Sequence, residues 1–190
     1  MKQIYIIEHL EPDLDKWCLI EYKHISKIVG ASNLWFTNIK PSYRRKLRNL
    51  GKVFNQSVAR LKLTNACILD PESRKLLEPK EAGKFQFFIF GGILGDYPPR
   101  KRTKSELTKK IKFKAEKRNI GKEQMSTDNA IYTVKQICKG KNLANLKFQD
   151  TAEIKINKIL TIELPYRYNL VGKKPLISRE LVKHIKKTEK

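Results

Sequence analysis

The chain has 190 residues, with 41 Lys plus Arg against 19 Asp plus Glu, and a formal net charge of +22. That length suits one domain, read as a single unit over residues 1–190, and the 40% of hydrophobic residues supply a core, which excludes a disordered basic tail. No apolar run nears the ~18 residues of a bilayer span, the first residues show neither a charged leader nor a cleavage site, and Cys18, Cys67 and Cys138 are too scattered for a disulfide framework or a CxxC metal clip, so the expectation is a cytoplasmic protein with no metal and no membrane contact.

In chain order, residues 3–7 are a short β-rich run. Leu14, Trp17, Cys18, Leu19, Tyr22, Ile25, Ile28 and Val29 recur at mostly helical spacing before Gly30, which predicts a helix over 14–29 with a glycine stop. A second strand is expected at 34–37, a strongly basic helix over 42–50 ended by Gly51, and a strand at 66–69 closed by Asp70-Pro71. Residues 85–90, Phe-Gln-Phe-Phe-Ile-Phe, have almost no polar content and read as a central strand buried on both faces, as parallel sheets require. A helix over 126–137 has Ser126 or Thr127 as its cap and Ala130, Ile131, Val134 and Ile137 as its apolar face. Residues 160–164 are the expected last strand, ended by Pro165, and Ser178 caps a short C-terminal helix over 178–188 with Leu181, Val182 and Ile185 inward. Alternation of this kind predicts an α/β fold with a mainly parallel sheet.

The positive charge is clustered. Residues 31–62 hold eight basic side chains and no acid, residues 100–122 eleven basic against two acidic, and residues 173–190 seven against two; together these blocks account for the whole net charge. Clustered Lys and Arg are the footprint of polyphosphate contact, because each one facing a phosphate releases condensed counterions. Arg44, Arg45 and Arg48, with no acid nearby in sequence, are the candidate RNA contacts.

Two loops look built for a ligand. The first, Gly91-Gly92-Ile93-Leu94-Gly95-Asp96-Tyr97-Pro98-Pro99-Arg100, follows the buried strand at the end where α/β sheets bind ligands, and its glycines allow close backbone approach. It matches neither GxxxxGK[ST] nor GxGxxG, which argues against a nucleoside triphosphate or a dinucleotide. The second, residues 118–128, leads into the capped helix, whose first N–H groups face an incoming polar ligand.

Phe-Gly-Gly-Ile-Leu-Gly-Asp-Tyr-Pro-Pro-Arg (90–100), Arg-Asn-Ile-Gly-Lys-Glu-Gln-Met-Ser-Thr-Asp-Asn-Ala (118–130) and Glu-Leu-Pro-Tyr-Arg-Tyr (163–168), with the opening Tyr5-Ile6-Ile7-Glu8-His9, closely resemble a SPOUT-class methyltransferase family of archaea and eukaryotes. Its fungal member methylates an arginine of a small-subunit ribosomal protein. Tyr97 stands where a His is common, Ser126 and Asn129 where a Thr is common, and Tyr166 where a Phe is common. The resemblance implies a C-terminal trefoil knot that forms an S-adenosylmethionine pocket, with cofactor loops in 90–168 and S-adenosylhomocysteine as the product. By analogy Gly91, Gly92, Ile93, Leu94, Gly95, Ile120, Gly121, Gln124, Met125 and Thr127 surround the cofactor.

The function implied is methyl transfer within the translation apparatus, to an arginine of a ribosomal protein. A base or ribose of rRNA or tRNA is the alternative acceptor, and a non-catalytic rRNA-binding assembly factor a second alternative. The partner is then a ribosomal protein, rRNA or both, with homodimer and monomer both open. An arginine acceptor needs carboxylates to orient it and to stabilise charge as a proton leaves, which makes Asp96, Glu8 and Glu163 the candidate acids. Arg100 is the candidate to hold the methionine carboxylate or the acceptor segment, and His9 a candidate proton carrier, whereas His24 and His184 read as ordinary helix residues. A side chain at Gly92 is expected to block the cofactor while leaving the fold intact.

Overall fold

A computed structural model describes residues 2–98 and 100–189. Its elements are β1 (Ile4–His9), α1 (Lys16–Val29), β2 (Leu34–Thr37), α2 (Arg44–Leu47), β3 (Lys52–Val53), β4 (Ala66–Leu69), α3 (Pro79–Ala82), β5 (Phe87–Gly92), β6 (Ala115–Arg118), α4 (Thr127–Cys138), β7 (Phe148–Lys155), β8 (Thr161–Val171), β9 (Lys174–Pro175) and α5 (Arg179–Thr188). The first six strands form one sheet in the order β3-β2-β1-β5-β4-β6, and every neighbouring pair is parallel. The α/β expectation is met, with the Phe-rich run at the sheet's centre beside β1.

Side chains along the central strands alternate between two cores. Tyr5, Ile7, Phe88 and Phe90 pack with Cys18, Tyr22 and Ile25 of α1 and with Ile131, Val134 and Ile137 of α4. Ile4, Ile6, Phe87 and Ile89 pack on the other face against Val58, Ile68 and Leu107. Asp15 starts α1 by accepting the Cys18 N–H at 2.7 Å, and Gly30, at φ 84°, ends it with its own N–H on the Ser26 carbonyl.

The basic helix expected over 42–50 is much shorter. A 3₁₀ turn at Pro41–Tyr43 runs into the single turn of α2, where only Leu47 is buried, and the chain then tightens through a Leu50 N–H to Leu47 carbonyl bond. Gly51 must follow closely, because a Cβ there would lie 2.4 Å from the Leu34 carbonyl oxygen. Four basic residues within five positions also repel one another along a longer helix.

The larger departure lies at the C-terminal side. Residues 160–164 do not close the parallel sheet. They begin β8, which runs straight through Pro165 and pairs antiparallel with β7, and β9 completes a separate three-stranded sheet. Pro165 is tolerated because it falls where the register shifts between Asp150 and Ala152, so no ladder N–H is required of it. Ala152, Ile154, Leu164 and Tyr168 build a third core with Leu181 and Ile185 of α5, and that core closes on Ile20, on the side of α1 away from the parallel sheet. Helix α1 is thereby buried from two directions. A buried amide network pins the antiparallel unit to α4: the Asn169 N–H donates to Asn129 Oδ1 (2.8 Å), Asn169 Nδ2 donates to the Asn129 carbonyl (3.0 Å), and Thr133 Oγ1 donates to Asn169 Oδ1 (3.1 Å).

Candidate functional site

Neighbouring strands β5, β4 and β6 all end at one edge of the sheet, where crossover topology leaves room for a ligand. In the loop after β5 the Leu94 N–H is held by Glu11 Oε1 at 2.9 Å. A Cβ on Gly95 would lie 2.3 Å from Gln124 Nε2 and 2.5 Å from Tyr166 Cε1, so only glycine lets this loop close on its neighbours. The contacts it gains bring the three motifs together. Tyr166 donates its hydroxyl to the Gly95 carbonyl (2.8 Å), Gln124 Nε2 donates to the Asp96 carbonyl (3.2 Å), and the Arg167 N–H donates to the Gln124 carbonyl (2.8 Å). The loop after β4, read in the sequence only as a strand stop, braces the second motif. Asn119 donates its N–H to the Lys75 carbonyl and accepts the Leu77 N–H at its own carbonyl. Asp70 fixes that loop by accepting the Thr108 hydroxyl at 2.8 Å.

Between this loop edge and the antiparallel unit lies a cavity of about 230 Å³. Trp17 and Glu21 of α1 form one wall, and Ile93, Leu94 and Gly95 another. Ser126 and Asp128 at the start of α4, Tyr166 and Tyr168 of β8, and Ile177 and Leu181 near α5 complete it. In a chain with 41 Lys and Arg, no cation among the described residues lines this cavity, and two carboxylates do.

The two carboxylates differ in their partners. Asp128 is engaged on both oxygens: Oδ2 pairs with His24 Nδ1 at 2.7 Å, and Oδ1 accepts the Ser126 hydroxyl (2.6 Å) and the Asn129 N–H (2.8 Å). Glu21, 6% exposed, reaches the α4 N-terminus from across the fold and accepts the Asp128 N–H at 3.3 Å. It does for α4 what Ser126 was expected to do, since the Ser126 side chain caps no backbone N–H. Burial, and then the charge of Asp128, push the Glu21 carboxyl up to about 8, while hydrogen bonds from the Asp128 and Thr127 backbone pull the other way.

Of the residues singled out in the sequence, Ile93, Leu94 and Gly95 line the cavity, and Gln124 and Tyr166 hold that loop. Gly91 is half-buried beside them, and Gly121, at φ 106°, makes the turn that Asn119 Oδ1 closes on its N–H. Ile120 and Met125 pack into the core shared by α1 and α4, and Thr127 is buried in the first turn of α4. Gly92 corrects an expectation: a Cβ there would sit 2.4 Å from the Tyr22 hydroxyl and 2.8 Å from Ile7 Cγ2, so its substitution breaks the core beneath α1 before it touches a ligand.

Two of the three candidate acids are elsewhere. Glu8 lies on the far side of the sheet, 4% exposed, where Oε2 accepts the Thr37 hydroxyl at 2.5 Å and the Val58 N–H at 2.9 Å. Glu163 is exposed and faces Glu153 across the β7–β8 pair, and Asp150, not Glu163, braces Arg167. Asp96 stays at the mouth beside Gly95, with Arg100 Nε 3.8 Å away and Arg100 itself mostly exposed. His9 is buried, with Nδ1 meeting the Tyr22 hydroxyl at 2.8 Å and Nε2 without a partner among the described residues, and burial lowers its pKa. His24, read as ordinary, is the Asp128 partner.

Arg44, Arg45 and Arg48 are exposed, but the Lys40 beside them pairs with Asp13 at 3.1 Å, an acid the sequence spacing did not reveal. Sequence reasoning missed Glu21, although a signal was present. Trp17 and Glu21 stand four apart, so an acid shares a helix face with an aromatic.

A family profile described as "SFM1-like: Protein arginine N-methyltransferase SFM1-like" matches residues 4–190. Protein arginine N-methyltransferase SFM1 of Saccharomyces cerevisiae is 38% identical over 201 residues, spanning 96% of this chain and 94% of its own length. The yeast SFM1 structure with bound S-adenosylmethionine superposes with a TM-score of 0.88 at 35% identity, over 99% of this chain and 92% of that one. The complex with S-adenosylhomocysteine gives the same TM-score at 34% identity, over 96% and 94%.

Proposed function

We propose, from the premise that this chain belongs to the SFM1-like protein arginine N-methyltransferase family, that it transfers a methyl group from S-adenosylmethionine to an arginine of a ribosomal protein in the cytoplasm. The observation that carries the reading is the junction of the three family motifs at one edge of the parallel sheet, through Gly95, Gln124 and Tyr166. The cavity there fits a sulfonium cofactor. Its walls are apolar on the Ile93–Leu94 side, and no Lys or Arg among the lining residues opposes a positive charge.

S-adenosylmethionine supplies an already activated methyl group, so the protein's work is alignment and exclusion of water. Ile93, Leu94, Gly95 and Gln124, with the turn at Gly121, would hold the cofactor, and Tyr166 fixes the loop that encloses it. The trefoil threading implied by the motifs belongs to the same reading, supported by the way residues 119–124 are held between the loop after β4 and the loop after β5. Exposed Arg44, Arg45 and Arg48 suit an acceptor presented on rRNA rather than free in solution.

The test is labelled methyl transfer to ribosomes from cells lacking the protein, followed by digestion. Label that survives nuclease and is lost to protease is expected. Label lost to nuclease would replace arginine with an RNA base or ribose, and no transfer at all would leave the assembly-factor reading.

A further inference from the structure

We propose that Glu11 is a positioning residue for the methyl donor: its carboxylate, braced by Arg102, sets the loop after β5 in the shape that receives the cofactor. Affinity for S-adenosylmethionine then depends on a side chain that is not part of the cavity wall. This rests on the reading above that Ile93, Leu94 and Gly95 hold the cofactor, and it adds what fixes that loop.

Strand register brings Glu11 to its place. In the parallel pair of β1 and β5, His9 lies opposite Gly92, and the Leu10 N–H donates to the Gly92 carbonyl at 3.1 Å. Strand β5 ends at Gly92, yet the half-buried Leu94 two residues later still needs an acceptor for its N–H. Glu11 Oε1 is that acceptor, at 2.9 Å, so a side chain carries the ladder past the end of the strands. The other acids between β1 and α1 are committed elsewhere: Asp13 to Lys40 and Tyr43, Asp15 to the first turn of α1.

The same oxygen accepts Arg102 Nη1 at 2.8 Å. With its other edge Arg102 grips Glu106, Nε on Oε1 at 2.8 Å and Nη2 on Oε2 at 3.2 Å. A planar fork can join two acids in this way, and a lysine ammonium cannot. The π turn at Lys104–Thr108 that carries Glu106 is itself anchored, with Leu107 1% exposed in the core of the far sheet face and the Thr108 hydroxyl on Asp70. Leu94 and Arg102 therefore meet at one oxygen that is tied to the core through Glu106. The side chains of Glu11 and Arg102 are only 14% and 23% exposed, so solvent and salt screen the pair less than a surface one. Leu94 and Gly95 form one wall of the cavity. Without the clamp the cofactor would have to order that wall as it binds, and the cost would appear as lost affinity. Once the cofactor is seated, methyl transfer makes no new demand on Glu11.

The experiment compares Glu11→Ala, Glu11→Gln and Arg102→Lys, with Asp13→Ala as a control on the same connection. S-adenosylhomocysteine affinity is read by calorimetry, and KM is measured separately for S-adenosylmethionine and for ribosomes from cells lacking the protein. Glu11→Ala is expected to weaken S-adenosylhomocysteine about tenfold and to raise the KM for S-adenosylmethionine alike, with kcat and the KM for ribosomes within about twofold of the parent. Glu11→Gln keeps an oxygen for the Leu94 N–H and should recover affinity to within about threefold of the parent. Arg102→Lys should bind about fivefold more weakly than the parent, because the fork is lost while the charge stays. Asp13→Ala should bind like the parent. Parental affinity in Glu11→Ala, or an equal loss in Asp13→Ala, would overturn the proposal, as would a glutamine variant as weak as alanine. Should Glu11→Ala not fold, Arg102→Lys decides, and parental affinity there overturns the clamp. A parent that binds no S-adenosylhomocysteine would sink the cofactor reading and the clamp with it, whereas a parent that binds it no better than Glu11→Ala sinks the clamp alone.

Discussion

The two faces of the parallel sheet each bury a glutamate, and the pair behave as opposites. On the face away from α1 Glu8 is tied down: one oxygen takes the Thr37 hydroxyl and the Val58 N–H. On the α1 side Glu21 caps a helix more than a hundred residues away, faces a second carboxylate and opens onto a cavity. Burial therefore does not mark a functional acid. What separates the two is what lies in front of the carboxylate: Glu8 ties β1 to Thr37 and Val58, whereas Glu21 lines a cavity.

The largest way to break this comparison is to collapse the α1 face. Gly92→Val drives a side chain into Tyr22 and Ile7, at an expected cost of about 3 kcal/mol or more, and a chain of this length should then melt some 6–12 °C lower, about 2–4 °C per kcal/mol. Calorimetric melting checks it; an unchanged melting temperature with lost cofactor binding would restore Gly92 to the pocket. On the other face, Glu8→Ala leaves the Val58 N–H unpaired and the Thr37 hydroxyl with only the Ile7 carbonyl, worth roughly 1–3 kcal/mol. Urea unfolding should show that loss, while transfer per folded molecule stays at the parent level.

The next effect is on pH rather than on the midpoint. A carboxyl raised to about 8 in the folded chain contributes stability that is complete below its unfolded value and is lost as pH climbs through about 8. Across that window Glu21 should cost up to about 1.4 kcal/mol per pH unit. Glu21→Gln should therefore look more stable relative to the parent at pH 8.5 than at pH 5, and parallel urea curves at the two pH values would refute the raised carboxyl. Smallest for the fold is Arg44→Glu with Arg48→Glu. Both sites are exposed, so stability should move by only about 0.5 kcal/mol, with cofactor affinity intact and a flatter salt dependence of binding to ribosomal RNA.

Much of the parallel sheet was legible because buried strands carry continuous apolar runs: residues 66–69 and the Phe-rich strand are visible without any partner. The loop glycines were legible for a similar reason, since Gly95 answers a local steric demand. The β8 strand was not, because Pro165 reads as a terminator unless it is known to lie in a bulge opposite Thr151, and that bulge is defined only by pairing with β7. Strand β7 itself was readable in the alternation of Ala152 and Ile154, which its polar neighbours obscured. Glu8 and Glu163 drew attention by lying in or near motifs. Glu21 lay in none, and its role depends on a contact with Asp128 that sequence distance hides.

That long-range cap also sets a clock. The cavity draws its first wall from Trp17 and Glu21 and its last from Ile177 and Leu181, and the Asn129–Asn169 amides must lock before the two can face each other. At roughly 5–20 residues per second, synthesis spends on the order of ten seconds or more between the first wall and the last. Through that interval the outer side of α1 with Ile20 lies uncovered and Glu21 has no helix start to cap. The cavity of a nascent chain is therefore incomplete until its own C-terminal helix arrives.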